Sequence, residues 1–152
     1  MKEMILMLHP TFGVLGILSA VWLFVEVINA SESNVGRIKV VGVVLAVLIW
    51  LSYLVGGYWY VEFYYADKAI IKAGPWPFAH SFFMETKEHL FFTLLLISTY
   101  IPIAATNVRP VTDAGARNLL LAMSALVVLL GLVMEGSGAT IGLGVKMGLL
   151  GR

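Results

Sequence analysis

The chain has 152 residues, of which 60% are hydrophobic and 12% charged, and its mean hydropathy is +0.92. A soluble globule is excluded, because its surface needs about twice that share of charge. A formal charge of +1 excludes the basic field that nucleic-acid binding requires, and the absence of cysteine excludes disulfides, iron–sulfur clusters, thiolate zinc and a cysteine nucleophile.

A membrane-spanning helix takes roughly 20 mainly apolar residues, and four stretches meet that length. The first covers residues 10–29. Its apolar run is longer than a signal-peptide core of roughly 7 to 15 residues, so it reads as a retained span. Polar Ser31 to Asn34 with Gly36 and Arg37 interrupt the pattern before a second stretch, residues 38–65. The aromatic run from Tyr58 to Tyr65 then marks a membrane interface, and Glu62, Asp67, Lys68 and Lys72 project the tail of this helix beyond the hydrocarbon. Gly74-Pro75-Trp76-Pro77 ends it.

The third stretch covers residues 80–105, with Pro102 near its end, and the fourth covers residues 117–135. A glycine-rich C-terminal tail follows and is expected to lie at the interface or fold back. Its Gly138/Gly142 and Gly144/Gly148 pairs suit close helix packing on the lipid side. Gly136-Ser137-Gly138 lacks the lysine and hydroxyl residue of a phosphate loop. The expected architecture is one all-α membrane domain, a bundle of about four transmembrane helices.

Let side A be the face on which the first helix starts. Four crossings then bring His9, His80 and His89 to side A, with Glu3, Glu62, Asp67, Glu85, Glu88 and Glu135. Side B keeps Glu26, Glu32 and Asp113. Interfaces tolerate such residues without a ligand, but ionisable groups at membrane depth commonly line a functional cavity, so a site at side A is expected. Lys2, Lys68, Lys72, Lys87, Lys146 and Arg152 at side A against Arg37, Lys39, Arg109 and Arg117 at side B leave the orientation open.

His9 precedes Pro10 and shares a helical stripe with Gly13, Gly16 and Ala20, a smooth groove in which a flat macrocycle could lie. His89 shares a face with Glu85, Thr93, Leu96 and Tyr100. At similar depths on helices one and three, His9 and His89 could ligate one haem iron from opposite sides, which suits electron transfer. His80 is the alternative to either, although nine residues before His89 it would point away from that face on a continuous helix.

His9-Pro10 with Gly13 and Gly16, together with Lys87-Glu88-His89 leading into Leu90-Phe91-Phe92, resembles the haem-bearing helices of small four-helix b-type membrane cytochromes. The resemblance implies haem b between helices and electron exchange with a quinol, ascorbate or a redox partner protein; three histidines on one side allow one haem at most by bis-His ligation. The match covers short parts of helices one and three. The ascorbate-linked members resemble a two-haem arrangement with four histidines on both membrane sides, whereas this chain has three, all toward A.

Other readings stay open. A non-haem iron, zinc or manganese site could use His9 and His89, or His80, with carboxylates from Glu62, Glu85 and Glu135, although Glu85-x-x-x-His89 occurs once and the paired Glu-x-x-His pattern of dimetal bundles is missing. Lys87 or Lys68 could hold a haem propionate, and Glu135 could accept a proton. The aromatic run could line a quinone site but suits an interfacial belt better. Finally, Gly42, Gly56, Gly57 and the tail could bind partner helices, making the chain a subunit of a homo- or hetero-oligomer in the bilayer. No catalytic residue is assigned by sequence.

Overall fold

The structure is a computed structural model describing residues 2–151. Four long helices follow one another: α1 (Lys2–Ile28), α2 (Val35–Ala73), α3 (Glu85–Asn107) and α4 (Ala114–Leu150). A π-helical segment, Ala79–Met84, runs directly into α3. The chain is 89% helical, and strands are absent among the described residues. α1, α2, α4 and the continuous segment Ala79–Asn107 are each long and apolar enough to cross a membrane, consistent with a multi-pass integral membrane protein.

Packing divides each helix into a face toward the bundle and a face away from it. Ala20, Leu23 and Val27 of α1 meet Ile38, Val41, Leu45 and Ile49 of α2, Leu94, Ile101 and Ala104 of α3, and Leu120, Met123 and Val127 of α4. The opposite faces carry Leu18, Trp22, Val40, Leu54, Phe92, Leu96, Leu129 and Leu132 outward. Apolar residues on both faces are what a helix between protein and lipid requires. A second, smaller cluster near side A joins Tyr64 and Ile71 to Ala79, Met84 and Ile141.

Side B is closed by a hydrogen-bonded corner. Buried Asn34 donates to the Glu26 carboxylate (2.8 Å) and to the carbonyls of Glu26 and Asn29 (3.0 and 3.3 Å), and accepts from the Ser31 amide (2.8 Å). Arg37 and Trp22 also donate to Glu26. On the same side, the Asp113 carboxylate accepts the Ala116 amide and caps α4.

The helices exceed the predicted spans. α1 begins well before Pro10, which therefore lies inside a helix rather than in its first turn. α4 continues through the glycine-rich tail to Leu150, correcting the expectation of an interfacial or folded-back segment. The reason is packing inside the bundle, not against lipid. An added Cβ at Gly144 would meet Ala79 Cβ at 2.6 Å, and one at Gly148 would meet the Ile70 carbonyl oxygen at 2.7 Å. These glycines let α4 run closely beside α2 and the π segment, whereas Gly136 and Gly142 face open space.

Candidate functional site

Three helices bring one ionisable side chain each to the bundle interior. Lys87 of α3 places its ammonium 3.4 Å from His9 Nε2. Glu135 of α4 lies over Gly13 of α1, where a Cβ would overlap its carboxylate oxygen, and sits within electrostatic reach of Lys87. The Lys87 ammonium lies over Gly138, where an added Cβ would stand 3.2 Å from its nitrogen. Gly56 of α2 likewise leaves room for the His9 ring.

Partners assign the imidazole tautomer. His9 Nδ1 lies 2.8 Å from the Ser52 carbonyl, which only accepts, so Nδ1 carries the proton. Nε2 is then an acceptor for the Lys87 ammonium. Ser52 Oγ donates to the His9 carbonyl at 3.0 Å, tying α1 to α2 a second time. The unit is a neutral imidazole, an ammonium and a carboxylate, whose opposite charges compensate in a low-dielectric setting.

These groups border a cavity of about 40 Å³, with Tyr53, Phe91, Leu94, Ile17, Ile49 and Met134 completing its wall. It has room for a small number of waters. At about 1.5 Å per residue, Ser52 stands about 22 Å from Arg37, and Glu135 about 27 Å from Arg117. Both basic residues mark side B, so in a hydrocarbon layer of roughly 30 Å the cluster lies near side A. Between this cluster and the Asn34 corner at side B, the buried polar side chains among the described residues are Ser19, Ser98 and Ser124, whose hydroxyls bond carbonyls of their own helices.

His89 is not part of this cluster. It is exposed on α3, its Nδ1 hydrogen-bonded to the Glu85 carbonyl at 2.6 Å, beside a surface hollow with Ser81, Phe82, Thr86 and Leu90. Lys87 occupies the inward face two residues earlier, and two residues is more than half a helical turn. His9 and His89 therefore do not face a common gap. The Gly13–Gly16 groove is filled by Glu135 and by Ile49, whose Cδ1 would stand 2.6 Å from a Cβ on Gly16. The residues present do not fit a haem held between His9 and His89. Nor does Lys87 face outward as a propionate partner would.

His80 occupies a third place. It is 5% exposed, with Nδ1 3.1 Å from the Tyr64 hydroxyl and Nε2 3.8 Å from the Glu85 carboxylate. Glu62 is exposed on α2, away from the interior. Among the described residues, no group of three or more His, Asp or Glu side chains converges as a metal site.

Sequence reasoning found His9, Lys87 and Glu135 as individual candidates but assigned them to different roles. It missed Ser52 and Tyr53 as parts of the site. The Gly56-Gly57 pair inside an apolar helix was the available signal, because glycine there permits the close approach of another group. No family model matches the sequence, and neither the curated proteins nor the solved structures contain a match.

Proposed function

We propose that the chain is a membrane protein that takes up and releases protons at side A through His9, Lys87 and Glu135. The observation that carries this reading is the 3.4 Å approach of the Lys87 ammonium to His9 Nε2 beside the Glu135 carboxylate, inside a membrane bundle. Ionisable groups at such depth are costly and point to function by default. A proton can pass from Lys87 Nζ to His9 Nε2 with the heavy atoms in place, leaving a neutral amine and an imidazolium. While ionised, the Glu135 carboxylate balances the positive charge on either partner; uptake and release are its own protonation and deprotonation, and the Ser52 carbonyl keeps the His9 ring oriented. Because the buried polar side chains between the cluster and the Asn34 corner, among the described residues, are three serines bonded to their own helices, the site exchanges protons with one face and does not conduct across the bilayer.

Infrared difference spectra of the purified protein, recorded through a pH titration, test this reading. A carboxyl band that titrates in the wild type and disappears in Glu135→Gln supports it. A wild-type protein with no titrating carboxyl band assignable to Glu135 overturns it and leaves a static polar cluster where α1, α3 and α4 meet.

A second reading, membrane electron transfer with one haem b and a quinol or redox partner, is favoured by His89. Its Nδ1 is held by a backbone carbonyl and Nε2 faces outward, the arrangement that commonly orients a ligating histidine. Absorption spectra of the oxidised and reduced protein, with analysis for iron, zinc and manganese, decide it. Haem bands lost in His89→Ala and kept in His9→Ala support ligation from the outer face of α3; a colourless sample without metal removes it.

A further inference from the structure

Apart from the His9 cluster, a second set of side chains joins α2, the π segment and the start of α3. Tyr64 is 2% exposed and its hydroxyl lies 3.1 Å from His80 Nδ1. His80 Nε2 faces the Glu85 carboxylate at 3.8 Å, and the Glu85 side chain is 49% exposed. A hydroxyl, an imidazole and a carboxylate thus follow one another from the interior to the surface. The π segment produces this row by turning His80 inward immediately before Glu85.

The Tyr64 ring makes a separate set of contacts. Tyr60 stacks on it with centroids 5.2 Å apart and planes 21° apart, and Trp59 lies 5.9 Å away. Tyr60 reaches the surface, 37% exposed, within electrostatic reach of the Glu88 carboxylate. From one buried phenol, a hydrogen-bonded row and an aromatic stack reach the surface by different routes.

We propose that Tyr64 is a one-electron redox site whose proton is accepted by His80. The phenol gives one electron, through Tyr60, to a one-electron oxidant of the class of an oxidised metal centre in a redox partner, which is reduced by one electron. The Tyr64 O–H bond breaks and an N–H bond forms at His80 Nδ1, giving a neutral tyrosyl radical and an imidazolium paired with the Glu85 carboxylate. Tyr64 is favoured over Tyr60 because its buried hydroxyl lies 3.1 Å from an imidazole nitrogen that can accept its proton, whereas Tyr60 is 37% exposed. This step needs no proton from His9, Lys87 or Glu135, so the two sites fail or stand separately.

The test uses the full chain in lipid nanodiscs and a flash-generated ruthenium(III) polypyridyl complex as oxidant. Electron paramagnetic resonance should detect a neutral tyrosyl radical in the wild type and in Tyr60→Phe, and its loss in Tyr64→Phe. His80→Gln should slow radical formation about 100-fold, the scale on which a positioned base acts. The wild-type rate should also fall in deuterated water, a readout that does not depend on any variant folding. A radical that survives in Tyr64→Phe, an unchanged rate in His80→Gln, no solvent isotope effect, or no radical at all would each overturn the assignment.

Discussion

Gly56 decides how near α2 comes to His9, since any Cβ there overlaps the imidazole. Gly56→Ala is expected to displace the ring and cost about 1–3 kcal/mol, the range for overpacking an interior. Thermal unfolding in detergent measures this, with Gly136→Ala as a neutral or slightly stabilising control because open space surrounds that position. Lys87 and Glu135 depend on each other in another way. Removing the ammonium by Lys87→Met leaves the half-buried Glu135 carboxylate without the cation in its electrostatic reach, a change expected to cost about 1–3 kcal/mol. The double variant Lys87→Met/Glu135→Leu is expected to recover most of that loss. A double variant no more stable than the single one would show that the pair's charge is solvated rather than buried.

At the level of elements, the α1–α2 corner and the α2–α4 crossing impose different requirements. Asn34 satisfies the chain end of α1 and the turn with a single amide, so Asn34→Ala leaves several polar groups unpaired and is expected to cost about 1–3 kcal/mol. At the crossing, Gly74 and Gly148 meet backbone to backbone: a Cβ on Gly74 would stand 2.7 Å from the Gly148 Cα. Backbone cannot rotate away as a side chain can. Gly148→Ala is therefore expected to lower the unfolding temperature, while Gly142→Ala, six residues earlier and facing open space, leaves it unchanged or raises it. Equal effects at the two positions would mean that the crossing does not hold α4 against α2.

Across the whole molecule, α2 and α4, with 39 and 37 residues, are about 58 and 55 Å long, nearly twice the thickness of a hydrocarbon layer of roughly 30 Å. Their excess lies at side A, where the Tyr64–His80 group stands beyond the level of Ser52 and Glu135. Four crossings put the α1–α2 and α3–α4 connections on one face and the α2–α3 connection on the other. Because the chain has no cysteine, single substitutions report this directly. In oriented vesicles, Ser33→Cys and Thr112→Cys should react with a membrane-impermeant maleimide from the same side, and Lys72→Cys from the opposite side. Labelling of all three from one side would refute the four-crossing topology.

The sequence by itself determined the solvent and the helices. Four long apolar stretches satisfy their backbone hydrogen bonds only as helices in lipid, and the crossing number alone collected three histidines near one face. Helix ends were less legible, because hydropathy falls at the edge of the hydrocarbon whereas α4 continues wherever its glycines still pack against α2. Tertiary structure alone decided the site. On α3, Lys87 and His89 are two residues apart and carry similar polar signals, yet rotation about the helix sends one to the interior and the other to the surface. His9 meets Lys87 and Ser52 rather than His89 because helix rotation and the close approach at Gly13 and Gly56 are set by contacts among all four helices, which no spacing within one helix encodes.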